Sequence, residues 1–218
     1  MCIVEGVRIS VCPLCQSCDL LPYYQNKERV YLQCVRCALV FVPMQYHLSG
    51  VDEKLRYDTH QNNPGDAGYR AFLSQVFNPV ISQISQGERG LDFGCGSGPT
   101  LSLMFEEVGY SVDLFDKFYV NNPAVFSKRY DFITVTEVVE HLSRPKFELE
   151  RLLGMLNEGG VLAVMTQMIT EEVVFSSWYY KNDPTHICFF SRETVCYLAR
   201  QWGVEVTFYG DNVVLIRK

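Results

Sequence analysis

Apolar and polar positions change rhythm along the chain. Residues 1–11 alternate in a way that suits a strand, as do Arg29-Val30-Tyr31-Leu32-Gln33 and Ala38-Leu39-Val40-Phe41-Val42. Residues 43–64 carry few apolar side chains and read as a linker. Then Tyr69, Phe72, Leu73, Val76, Phe77, Val80, Ile81 and Ile84 fall at i, i+3, i+4 spacing. That predicts one amphipathic helix, or two joined at Asn78-Pro79, because proline interrupts the hydrogen-bond ladder. Its aromatic residues are expected in the core.

From Gly90 onward, short apolar runs alternate with helical patterns, which predicts an α/β architecture with a mostly parallel sheet. Strands are expected at 90–93, 111–115, 130–135 and 161–165. Pro99 to Val108 reads as a helix stopped by Gly109, and Ser143 to Leu156 as another, with Ser143 as cap and Pro145 in its first turn. Asn157-Glu158-Gly159-Gly160 reads as a turn. Ser191 to Trp202 is a helix capped by Ser191 and ended by Gly203, and Val204–Tyr209 and Val213–Ile216 form a hairpin around Gly210-Asp211-Asn212.

Length and charge narrow the function. The 218 residues suffice for one ordinary domain and a small accessory module. A formal charge of −6 argues against a general nucleic-acid binder but leaves room for a local basic patch. No run is long and apolar enough to span a bilayer, and no secretory leader is apparent, so a cytoplasmic location is expected. In that setting the nine cysteines are expected as metal ligands and core residues rather than disulfides.

Cys12-Pro13-Leu14-Cys15 and Cys34-Val35-Arg36-Cys37 are two C-x2-C knuckles with eighteen residues between them. The spacing matches a structural zinc site, with a strand entering and a strand leaving the second knuckle. The alternatives are redox cysteine pairs or buried thiols without a metal. Cys18 is a spare thiol beside the site. The expected layout is a zinc ribbon over 1–45, a linker and helix over 46–88, and the α/β domain over 89–218.

The chain centres on Gly90-Leu91-Asp92-Phe93-Gly94-Cys95-Gly96-Ser97-Gly98, a buried strand feeding a glycine turn and a helix start. Glycines there let backbone approach a ligand closely. With the acidic tip of the next strand and the block "YDFI…EVVEHL…LNEGGVLAVMT", the stretch resembles the class I S-adenosylmethionine (SAM) methyltransferases. The resemblance covers most of 67–218 and implies a Rossmann-like sheet whose last strand inserts antiparallel. It places Asp92, Gly94, Cys95, Gly96, Gly98, Asp116, Thr136 and Glu137 around SAM, with Asp116 on the ribose hydroxyls and Asp113 as the weaker candidate. Residues 117–129 are too short for the helix and third strand usual in the family, so the adenine contacts stay open.

Glu137-Val138-Val139-Glu140-His141, with the later His186, resembles two methyltransferase groups: ubiquinone-pathway O-methyltransferases and those that methylate the 3′-terminal ribose of small RNAs. By that resemblance Glu137, Glu140, His141 and His186 hold a divalent ion such as Mg2+ or Mn2+. Helical spacing would put Glu137 and Glu140 on one face. The alternatives are His141 or His186 as a direct base, with Glu137 beside the reacting atoms, or no such role. Tyr57, His60 and Asn62 are further ligand candidates, and Trp178, Tyr179 and Tyr180 could form a lid. The expected activity is O-methylation of a small or carrier-bound metabolite. A ribbon-assisted RNA methyltransferase and a non-catalytic SAM-binding or zinc-mediated interaction module are the competing readings.

Overall fold

The computed structural model describes residues 2–4, 7–9, 11–59 and 63–218. His60 and Asn62 lie outside them. The N-terminal segment forms a hairpin of β1 (Cys2–Val4) and β2 (Val7–Ile9), followed by β3 (Leu20–Gln25), β4 (Val30–Cys34) and β5 (Val40–Phe41). The stretch read as a linker contains α1, Gly50–Tyr57. Its signal is short: Ser49 is the N-cap, accepting from the Asp52 N–H and donating its hydroxyl to the Asp52 carboxylate.

The long amphipathic helix is a single element, α2 (Ala67–Ile81). Pro79 sits in the last turn, where little of the helix follows the hydrogen bond it removes. Then come β6 (Arg89–Phe93), α3 (Thr100–Glu107), β7 (Ser111–Phe115), β8 (Tyr130–Thr136), α4 (Pro145–Met155) and β9 (Leu156–Met165). The chain ends with β10 (Cys188–Phe189), α5 (Arg192–Trp202), β11 (Glu205–Tyr209) and β12 (Val213–Arg217). Ser143 does not cap α4; Arg144 holds the cap position without a side-chain bond. The expected turn at 157–160 survives as an irregularity inside β9: Tyr130 pairs with Leu156 but Phe132 with Val161, and Gly159 has φ +79°.

The main sheet has the order β11-β12-β9-β8-β6-β7. Strands β7, β6, β8 and β9 are parallel, and β12 inserts antiparallel between β9 and β11. Alternation splits it into two faces. Phe132, Val161, Ala163, Met165, Val213 and Leu215 pack with Leu73 and Val76 of α2 and Leu101 and Phe105 of α3. Leu91, Ile133, Val135, Leu162, Val164 and Ile216 pack on the other side with Leu152 of α4 and Leu198 of α5. This is a Rossmann-like three-layer α/β fold. A third strand is absent from 117–129, where the chain makes a short turn at Asp116–Val120 and a 3-10 turn at Pro123–Ser127, leaving β7 at the edge.

The second sheet joins distant parts of the chain. Its order is β10-β5-β4-β3, so β10 extends the sheet of the cysteine-rich segment.

Candidate active site

One cavity of about 320 Å³ opens at the carboxyl ends of β6, β7 and β8. Open parallel sheets bind ligands there, at the point where strand order reverses. Asp92, Gly94, Cys95, Gly96, Gly98, Asp116, Thr136 and Glu137 all line it, as do His141 and His186. Asp113 does not; it pairs instead with Arg89 and Lys128. Tyr69 and Phe72 of α2, expected in the core, also face the cavity, together with Tyr57, Phe118 and Tyr119.

The glycine turn is shaped as a cradle. Gly94 has φ +82°, and a Cβ there would fall 2.3 Å from Val138 Cγ2. Gly96 has φ +65° and donates its N–H to Asp116 Oδ2 at 3.1 Å. Asp116 Oδ1 accepts from the N–H groups of Phe118 (2.8 Å) and Tyr119 (3.1 Å), so its carboxylate ties the two loops together. Asp92 is 4% exposed and accepts from Thr134 Oγ1 at 2.9 Å. Burial pushes its carboxyl up to about 6. Thr136 Oγ1 is buried against the cavity without a hydrogen-bond partner, an unusual state for a hydroxyl. Cradle and orphan hydroxyl together suit a polar ligand such as SAM.

The acidic-histidine segment departs from its helical expectation. Glu137 has φ +52°, a strained value for a non-glycine residue, and only Val139–His141 forms a 3-10 turn. The two glutamates therefore do not share a helix face. Glu140 turns inward and is fully buried, accepting from Thr166 Oγ1 (3.0 Å) and from Tyr180 Oη (2.5 Å). The same Tyr180 hydroxyl lies 3.3 Å from Glu137 Oε2. Burial raises both carboxyls, and their mutual repulsion raises Glu137 further.

Donor atoms of Glu140, His141 and His186 lie within 4.8 Å of one another; Glu137 is not in this group. His141 Nδ1 donates to the Thr185 carbonyl at 3.1 Å and His186 Nδ1 to the Tyr180 carbonyl at 2.7 Å. A carbonyl only accepts, so each ring carries a proton on Nδ1. That is the tautomer a metal-ligating histidine adopts when a backbone carbonyl orients it. Burial and the neighbouring His186 push His141 down to about 3, so its ring is neutral. The donor set of one carboxylate and two imidazoles suits a divalent ion.

The three aromatics of 178–180 separate. Tyr180 is buried on Glu140, Trp178 packs on Phe175 and Phe189, and Tyr179 is 66% exposed. None lines the cavity. Its outer wall comes instead from Tyr57 of α1, held by Lys117–Glu53 and Arg56–Asp183 ion pairs on that helix.

The four knuckle cysteines also meet. Cys12 and Cys37 sulfurs are 3.5 Å apart, Cys15 and Cys34 3.4 Å, and all four lie within 4.8 Å. Ligands about 2.3 Å from one tetrahedral ion would be about 3.8 Å from each other. The knuckles repeat one geometry. Gln16 N–H donates to Cys12 O and Ala38 N–H to Cys34 O; Cys12 N–H donates to Ser17 O and Cys34 N–H to Leu39 O. Gln16 and Ala38 both take positive φ. The thiols therefore fit zinc. Cys18, expected as a spare thiol, is outside the group and is disulfide-bonded.

A methyltransferase-domain family model matches residues 66–207, and the chain belongs to that family. No curated protein matches it in sequence. Among solved structures it is similar to a 1,6-didemethyltoxoflavin N1-methyltransferase from Burkholderia thailandensis, solved with 1,6-didemethyltoxoflavin and S-adenosylhomocysteine bound. The identity is 14% and the TM-score 0.54, over 90% of this chain and 98% of that one. A SAM-dependent methyltransferase from Archaeoglobus fulgidus matches at 17% identity and TM-score 0.51, over 68% and 94%. An O-methyltransferase family protein from B. thailandensis matches at 16% and 0.50; 76% of this chain is covered, but only 62% of that one. At these identities the likeness is one of fold. The protein is thus a methyltransferase with the class I SAM-dependent fold. No described helix is long and apolar enough to cross a membrane.

Proposed function

We propose that this chain transfers the methyl group of SAM to an oxygen of a small or carrier-bound metabolite. The observation that carries the reading is the shared cavity. Asp92, Asp116, the glycine turn, His141 and His186 all line it. Asp116 is the ribose acceptor in this reading. Thr136 Oγ1 and the Asp92 region receive the amino-acid end, where the orphan hydroxyl gains a partner. SAM supplies an activated methyl group on sulfur; the chain supplies alignment and electrostatics.

Glu140, His141 and His186 would hold a divalent ion, Mg2+ or Mn2+, which when bound acidifies an acceptor hydroxyl. In this reading both histidines would ligate through Nε2, since the Thr185 and Tyr180 carbonyls accept from their Nδ1–H groups. Tyr57, Tyr69 and Phe118 exclude water from the reacting atoms. Cys12, Cys15, Cys34 and Cys37 would hold a structural zinc.

The test is incubation with methyl-labelled SAM and a cell extract fractionated into metabolites and nucleic acids, with Mn2+ or after removal of free divalent ions. Label in a hydroxyl-bearing product, dependent on the ion, supports the reading. Label only in nucleic acid, or in nothing, overturns it.

A further inference from the structure

Arg29 belongs to the cysteine-rich segment, yet its side chain ends beside the loop that carries His186. It is 7% exposed. Its backbone is anchored by Asn26, whose Oδ1 accepts the Arg29 N–H at 2.8 Å. Its guanidinium has five N–H donors, and all five have uncharged acceptors. Nε donates to Tyr31 Oη at 2.8 Å. One terminal nitrogen donates to the carbonyls of Pro184 (3.2 Å) and His186 (3.1 Å). The other donates to the carbonyls of Asp183 (2.8 Å) and Lys181.

A buried guanidinium costs several kcal/mol to desolvate, so a complete set of acceptors is what makes this one tolerable. Besides Tyr31 Oη, the set consists of four carbonyls from the six-residue segment 181–186. The two neighbouring carbonyls of that stretch, Tyr180 O and Thr185 O, accept from His186 Nδ1 and His141 Nδ1. Along the chain, Tyr180 O serves an imidazole, Lys181, Asp183 and Pro184 serve the arginine, Thr185 O serves the other imidazole and His186 O the arginine again, so each imidazole acceptor has an arginine acceptor beside it. Rotating one peptide away from Arg29 would turn its neighbour away from a histidine.

We infer that Arg29 is a positioning residue of the active site: by holding the 181–186 carbonyls inward it fixes the orientation and tautomer of His141 and His186. The cysteine-rich segment is then part of the catalytic framework. Arginine is required because its planar fork reaches four carbonyls at once, whereas lysine offers a single point charge. The inference rests on the proposed role of the two histidines, but its tautomer readout needs neither methyl acceptor nor metal.

The experiment is side-chain 15N spectroscopy of the four-histidine protein, in wild type, Arg29→Lys and Arg29→Met. Zinc content, S-adenosylhomocysteine affinity and Mn2+ affinity are measured beside it. Wild type is expected to show His141 and His186 as Nδ1–H tautomers. Both variants should shift at least one ring to a mixture and weaken Mn2+ about tenfold or more, with zinc and S-adenosylhomocysteine binding retained. Unchanged tautomers in a folded variant overturn the inference. Absence of Mn2+ binding in wild type overturns the divalent-ion reading instead, and the tautomer shift still decides Arg29. If both variants unfold, the wild-type guanidinium decides: separately resolved, exchange-protected Nη protons support the clamp, and averaged signals refute it.

Discussion

Asp92 on β6 and Asp116 just past β7 open onto the same cavity from adjacent parallel strands, in opposite surroundings. Asp116 accepts three backbone N–H groups, whereas Asp92 is buried with one hydroxyl donor. One carboxylate is built into the loop structure; the other is held at a cost to the fold.

That cost predicts a trade-off at Asp92. Its carboxyl is raised from 3.8 to about 6 by burial, so the folded state holds its proton more tightly than the unfolded state does. The penalty is absent below about pH 4, grows as pH rises between the two values, and is complete above about 6, where it is about 3 kcal/mol. Asp92→Asn keeps an acceptor for Thr134 and should raise stability near pH 7.5 while adding little near pH 4. The same variant should lose S-adenosylhomocysteine binding. Denaturant titrations at both pH values and calorimetry check it; no pH dependence of the gain would refute the burial argument.

Gly94 makes a steric prediction. Its φ is +82°, and a side chain's first carbon would stand 2.3 Å from Val138 Cγ2, so Gly94→Ala must strain the backbone and displace Val138. A loss of about 1–3 kcal/mol in stability is expected, with weakened cofactor binding. Thermal unfolding with and without S-adenosylhomocysteine measures both.

The cysteine knuckles predict about one zinc per chain, since a tetrahedral site takes four ligands. Cys12→Ser or Cys37→Ser should lose the metal and much of the stability of the N-terminal segment, because the ion supplies folding energy there. Elemental analysis and thermal melts decide it; full stability without zinc would refute the structural role.

The histidines predict a separable effect. His141→Ala should abolish Mn2+ binding, seen by electron paramagnetic resonance, with zinc content unchanged, since the two donor groups share no residue. Glu137→Gln should weaken Mn2+ far less than Glu140→Gln, because Glu137 stands outside the donor group. The reverse order would refute this ligand assignment.

Much of this is legible in the sequence. Period-two and period-3.6 patterns locate β4 to β9, β11, β12 and the helices α2 to α5, but not β3 or β10, and Gly109 and Gly203 mark helix ends with positive φ. Cysteine spacing alone brings Cys12, Cys15, Cys34 and Cys37 together, and the glycine turn with two acidic strand tips locates the cavity. Those signals are short-range: a dihedral preference, a knuckle, a face of a strand. Tertiary structure decides what depends on distant chain. It turns Glu140 inward and Glu137 aside through a positive φ, supplies α1 and the aromatic wall, and runs Arg29 into the carbonyls of 181–186. Side-chain direction at a strand tip, and the partner of a buried cation, are set by packing between residues far apart in sequence, and local pattern carries no record of it.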